Sequence, residues 1–217
     1  MSTFPTLSLL EARVLGVLVE KQHTVPDSYP LTLNALLSGC NQKTSRDPVI
    51  EASEAEVQAA LDRLKSLSLA MESSGGRVMR YAQNMGKGLA LPPQSVALLT
   101  VLFLRGPQTA GELRINSDRL HRFGDILAVE GFLDELAEKG FARELAKQPG
   151  ARETRWVHLV SGEPDLSALS APARGAGENL TMSQVAAMRA DVDRLQGEVA
   201  VLRKTVARLC TELGVEP

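Results

Sequence analysis

The chain has 217 residues, 24 basic and 26 acidic side chains for a formal charge of -2, and 4% aromatics. That length is enough to bury a substantial core in one or two domains, and the near-neutral balance excludes a global attraction to nucleic acid. Residues 1–88 and 89–160 each carry nine basic and nine acidic side chains, and 161–217 six against eight, so any basic surface has to be local. No run approaches the roughly 18 uncharged apolar residues of a membrane span. The start, MSTFPTLSLLEARVLG, lacks a basic segment ahead of an apolar core, and Cys40 and Cys210 lie 170 positions apart. A soluble chain of a reducing cytoplasm is expected, with no signal peptide, no disulfide framework and no membrane contact.

In chain order, the first predicted element is a helix over SLLEARVLGVLVEKQ, opened by a capping box of Ser8 and Glu11 and striped by Leu10, Val14, Val17 and Leu18. Beyond the loop HTVPDSYP, Thr32 caps a short second helix, TLNALLSGCNQ. Ser53 and Glu56 cap a third, whose Val57, Ala60, Leu61, Leu64 and Leu67 share a face. Strands LAMES and RVMRYAQ then flank the turn SGG. The order recurs: SVALLTVLFLRG predicts a helix, Thr109 and Glu112 cap TAGELRINSDRLHRF, DILAVEGFLDELAEKG is a third helix, and FARELAK and RETRWVHLV form a hairpin across QPGA.

A shift of 72 positions sets Val57 on Val129, Leu61-Asp62 on Leu133-Asp134, Leu64 on Leu136 and Leu69-Ala70 on Phe141-Ala142. Helix, helix, helix, hairpin is the order of a winged helix-turn-helix. The expected fold is therefore mostly α with small β-hairpin wings: winged-helix domains at 1–88 and 89–160, followed by a C-terminal coiled-coil helix.

Residues 161–179 are rich in Ser, Gly, Pro and Ala, predicting a flexible linker. Over 180–217, Thr181 and Gln184 form a capping box, and Val185, Met188, Val192, Leu195, Val199, Leu202, Val206, Leu209 and Leu213 recur at alternating intervals of three and four. With Val at most a positions and Leu at most d positions, this seam favours a parallel two-stranded coiled coil, and Glu198 and Arg203 would pair across it. The expected partner is a second copy of the chain. The competing reading is a surface helix packed in cis, which the narrow stripe disfavours.

Chemistry is harder to find. His23, His121 and His158 are scattered without metal-ligand spacing, and SSGG precedes a strand, which is not the strand-to-helix setting of a phosphate loop. No catalytic residue, metal site or cofactor is expected, and the chain reads as non-enzymatic.

Groove insertion into DNA also fits poorly, because the third helix of the second copy carries Asp125, Glu130, Asp134, Glu135 and Glu138 against Lys139 alone. Basic and amide side chains gather elsewhere: Asn41, Gln42, Lys43 and Arg46 in CNQKTSRDP; Arg77 and Arg80 in the first hairpin; Arg114, Arg119 and Arg122 after Thr109; Arg143, Lys147, Arg152 and Arg155 in the second hairpin. Solvated surface is the plainer account of these positions. The sharper one is a nucleic-acid or partner contact face made by wings and second helices. CNQKTSRDP itself runs from the second helix toward the third, and its Asn41, Thr44, Ser45 and Asp47 suit helix-end and turn hydrogen bonds.

The strings EK at 20–21, TVPDSYPLTLNAL at 24–36, CNQKTSRDP at 40–48 and LRGPQTAGELR at 104–114 resemble a YceH-like family of bacterial proteins of unknown function, across residues 7–160. The resemblance implies a duplicated winged helix with no known enzymatic activity, and brings no functional residue with it. Two roles follow. The one favoured by the usual role of the fold is a homodimeric DNA-associated regulator that contacts duplex DNA through wings and second helices. The other is a protein-interaction adaptor whose acidic third helices take a basic partner, similar in architecture to the winged-helix subunits of chromosome condensation.

Overall fold

The computed structural model describes residues 5–73, 78–147 and 153–163. These form α1 (Leu9–Thr24), α2 (Leu33–Cys40), α3 (Glu54–Ser66), β1 (Ala70–Ser73), β2 (Arg80–Gln83), α4 (Met85–Gly88), α5 (Pro93–Arg105), α6 (Ala110–Asn116), α7 (Ile126–Glu138), β3 (Ala142–Glu144) and β4 (Trp156–His158). The described chain is thus mostly helical, with two small antiparallel sheets, β1-β2 and β3-β4. Residues 164–217, which hold most of the predicted linker and the whole seam from Val185 to Leu213, lie outside the described residues.

Local chemistry accounts for the helix starts. Ser8, Ser53 and Thr109 each close a capping box, with Glu11, Glu56 and Glu112 respectively. Thr32 and Asp125 cap α2 and α7 by accepting from the backbone N–H of Ala35 and Ala128. The ends of α3 and α7 match as well. Ser68 (φ 58°) and Gly140 (φ 75°), 72 positions apart, turn left-handed, and the following Leu69 and Phe141 donate to the carbonyls of Leu64 and Leu136 at 2.9 and 2.8 Å.

Each hairpin also gains a short third partner that periodicity does not reveal. Leu31, just before the cap of α2, exchanges backbone hydrogen bonds with Tyr81 in β2 (3.0 and 2.8 Å), and Gln108, just before the cap of α6, does so with Trp156 in β4 (3.1 and 2.7 Å). Several segments are shorter than the sequence predicts, the strands of RVMRYAQ and FARELAK being confined to Arg80–Gln83 and Ala142–Glu144 among the described residues. α6 stops at Asn116, where the Ser117 hydroxyl donates to the Arg114 carbonyl and Leu120 and His121 donate back to the Ser117 carbonyl; the run of Asn, Ser and Asp there favours a turn over a longer helix. Among the described residues of RETRWVHLV, only Trp156–His158 is strand.

The described residues belong to one unit, Met1–Pro164, with a hydrophobic core that runs from Leu7 to Val160. At its centre α1 packs on α5, and Ala12 to Val19 and Ser95 to Leu104 are all buried. Gly16 permits the close approach: a Cβ there would lie 3.0 Å from Leu104 Cδ2 and 3.3 Å from Phe103 Cβ. The backbone N–H of Leu7 donates to the Val160 carbonyl at 2.8 Å, tying the segment before α1 to the one after β4. Among the described residues, no helix is long and apolar enough to cross a membrane.

Gly16→Val overpacks this contact and is expected to cost about 2 kcal/mol. Gly131→Ala, in open space on α7, is expected to stabilise by about 0.5–1 kcal/mol. Urea unfolding midpoints of the two variants check both signs.

Candidate recognition surface

CNQKTSRDP leaves the buried end of α2 and crosses to the cap of α3, held from inside by two arginines. Arg13, on the buried face of α1, has no exposed surface; it donates to the carbonyls of Cys40 (3.3 Å) and Pro48 (2.7 Å), and its Nε has no hydrogen-bond partner. Burial, and then the charge of Arg46, lower its pKa. Arg46 is itself buried. Its guanidinium donates to Glu20 through Nη1 (3.2 Å) and Nη2 (2.6 Å), to Gln42 Oε1 at 2.6 Å, and to the carbonyls of Gly39 (3.1 Å) and Ser45 (2.9 Å). Burial alone would push the Glu20 carboxyl up, but the hydrogen bonds and charge of Arg46 take it below its ordinary value. Cys40, buried beside the pair, is pushed up to about 12 by burial, so its thiol is a packed core group with no nucleophilic character near neutral pH.

Asn41 closes the loop: its side-chain amide donates to the Ala52 carbonyl (2.8 Å) and its oxygen accepts from the Ala52 N–H (2.9 Å), which sets up Ser53 as the cap of α3. The far end of the stretch touches the end of α5. The Asp47 N–H donates to the Leu104 carbonyl at 2.8 Å, and Arg105 donates to the Ser45 hydroxyl at 2.9 Å. Of the four residues singled out here, Asn41, Gln42 and Arg46 are therefore turned inward, and Lys43 is exposed.

The remaining basic positions are mostly held by local acceptors. Arg80 donates to the Ser28 and Pro30 carbonyls, Arg114 to that of Gly124, and Arg155 to that of Pro107 and to Glu112, while Arg143 pairs with Glu163. Arg119 is exposed, and Arg122, its side chain 89% exposed, lies 3.8 Å from Asp118. Arg77 and Arg152 lie outside the described residues. His158 stacks edge-on against Phe103 and is pushed down to about 4 by burial, which keeps it neutral at ordinary pH.

A cleft of about 440 Å³ opens between the start of α6, α7 and the β3-β4 hairpin. Ile126, Glu130 and Asp134, one face of α7 at intervals of four, form one wall. Glu144, Lys147, Glu153, Thr154 and Trp156 of the hairpin form the other, with Ala110 and Gly111 at the end. Four carboxylates thus face one lysine. Thr154 donates its hydroxyl to Glu144 across the strands, but among the described residues Glu130, Asp134 and Glu153 form no ion pair. On α6 and α7, Ile115 (75% exposed), Leu127 (76%) and the cleft residue Ile126 (45%) put large apolar side chains in solvent. Among the described residues, no group of three or more His, Cys, Asp or Glu side chains is arranged to hold a metal ion.

The family described as "Protein of unknown function, DUF480" matches residues 7–151. The chain belongs to this family. It is 55% identical to a UPF0502 protein of Burkholderia ambifaria (strain MC40-6) over 213 residues, covering 97% of this chain and 90% of that protein. It is 57% identical to a UPF0502 protein of Paraburkholderia phytofirmans over 212 residues, with the same coverage of both. The expected resemblance to an uncharacterised bacterial family therefore holds under the DUF480 and UPF0502 descriptions.

In this DUF480 chain the α1 stripe of Leu10, Val14, Val17 and Leu18 does not include Arg13, and the acids of α7 do not reveal the apolar part of the cleft. For Arg13 a signal was present: a cation four residues before Val17 and three after Leu10 sits on the buried stripe of α1 and needs buried acceptors. Arg46→Ala is expected to destabilise by about 2 kcal/mol, the loss for a broken buried pair reduced for the partial exposure of Glu20. Lys43→Ala is expected to stay within about 0.5 kcal/mol of the parent. Chemical denaturation of the two variants separates the inward residue from the outward one.

Proposed function

We propose that the protein is a non-enzymatic interaction adaptor of the cytoplasm, built from two winged-helix domains, residues 1–88 and 89–160, and paired with a second copy through the heptads of 180–217. The winged-helix reading is supported by the repeated order of helices and hairpin and by the matching bridges Leu31 to Tyr81 and Gln108 to Trp156. The dimer rests on the seam Val185 to Leu213 in the sequence.

One observation carries the adaptor reading: where a DNA-reading domain presents cations on its third helix, α7 offers Ile126 and Leu127 in solvent beside Glu130 and Asp134. Phosphates are repelled by such a face, whereas exposed apolar side chains rimmed by charge suit a protein partner. Arg119 and Arg122, exposed after α6, favour the second reading, a DNA-associated regulator with backbone contacts.

Affinity capture from native lysate with the full chain, with and without nuclease, separates the two. The adaptor reading expects protein partners retained after nuclease, and no binding to random duplex DNA at low salt. Capture lost on nuclease treatment, with duplex affinity falling steeply as salt rises, would overturn it in favour of the regulator.

A further inference from the structure

α3 and α7 begin and end 72 positions apart, and Glu72 pairs with Tyr81 across the first sheet as Glu144 pairs with Trp156 across the second. Equivalent places in the two copies can therefore be matched side chain by side chain. In the first copy Lys65 Nζ lies 2.6 Å from Glu72 Oε2 and 3.1 Å from Asp62 Oδ1, and the Tyr81 hydroxyl donates to Gln58 Oε1 at 3.2 Å. The carboxylate pair is thus neutralised from within.

In the second copy Asp134 and Glu144 keep the two carboxylate places, but Ala137 stands at the place of Lys65 and Glu130 at that of Gln58. The site has lost an ammonium and gained a carboxylate. Lys147 lines the cleft, yet it forms no ion pair there among the described residues. Where Tyr81 stood, Trp156 offers an apolar wall, opposite Ile126.

We propose that this cleft binds a basic segment of a partner protein, with a lysine or arginine side chain set between Asp134 and Glu144, where the first copy seats its own Lys65. Apolar neighbours in the segment rest on Ile126 and Trp156. The proposal rests on the adaptor reading and gives it a site and a ligand chemistry. An extra cation placed within the cleft should therefore compete with the partner, and a lysine at position 137 would supply one from the same point on the helix that Lys65 occupies, three residues after the aspartate.

Trp156 is the only tryptophan in the chain, so its emission reports on the cleft directly. The full-length protein is titrated with a peptide of alternating lysine and leucine, against a glutamate and leucine control and a duplex DNA oligomer. The basic peptide is expected to shift the emission saturably and the two others to leave it unchanged. Ala137→Lys and Asp134→Asn, both at exposed positions, are each expected to weaken the peptide by about tenfold with helicity and unfolding midpoint retained. Ala137→Lys binding as tightly as the parent, or the acidic peptide or DNA giving the same shift, would overturn the proposal. An inert cleft in a protein that still captures nuclease-resistant partners removes the site and leaves the adaptor; nuclease-sensitive capture removes the adaptor itself.

Discussion

The guanidinium of Arg46, buried against Glu20 and ringed by the carbonyls of Gly39 and Ser45 and the amide of Gln42, is the constraint from which the junction of α1, α2, α3 and α5 is built. A charge taken out of water is stable only if its donors are satisfied, and here the acceptors come from α1, from α2 and from the loop itself. Meeting that requirement fixes where the chain goes after Cys40. Arg13 acts from the other side, holding the carbonyls of Cys40 and Pro48. With both ends of the stretch held, Asn41 can bond Ala52 and set the start of α3, and Asp47 can donate to Leu104 at the end of α5. A polar stretch that invites a functional reading is thus largely a clamp between helices.

Much of the fold was legible in the chain because its signals are local. A serine or threonine three residues before a glutamate names a helix start, and the boxes at Ser8, Ser53 and Thr109 each form. The 72-residue shift likewise anticipates the common limits of α3 and α7. What stayed hidden depends on direction in space. Nothing in the pattern around Arg46 says that its side chain folds back onto Glu20, 26 positions earlier, while Lys43 points outward. The bridges of Leu31 and Gln108 are single pairs, too short to leave a period in the sequence.

The candidate surface divides along the same line. The acids of α7 were visible as a class, but the cleft exists only because the hairpin brings Glu144 and Trp156 opposite Glu130 and Asp134. The exchange of Lys65 for Ala137 can be read from the repeat, yet its meaning requires the contacts that Lys65 makes. The two halves of the 72-residue repeat share one order of elements and differ in charge at one place: the first supplies its own cation at Lys65, and the second carries Ala137 there, with Asp134 and Glu144 lining a cleft beside Trp156. Under the function proposed above, that division gives scaffolding to the first half of the repeat and recognition to the second.

That division is tested most directly by removing the internal cation from the first copy. Lys65→Ala should leave Glu72 without its cation and Asp62 with only its Gln58 hydrogen bond, and calorimetric titration of the full-length protein with the lysine and leucine peptide should then detect a second site per chain, weaker than the parent one because Glu54 and Gln58 stand where α7 has Ile126 and Glu130. An unchanged count, with the variant folded and the parent site intact, would contradict the account, because the lysine would then not be what separates the two copies.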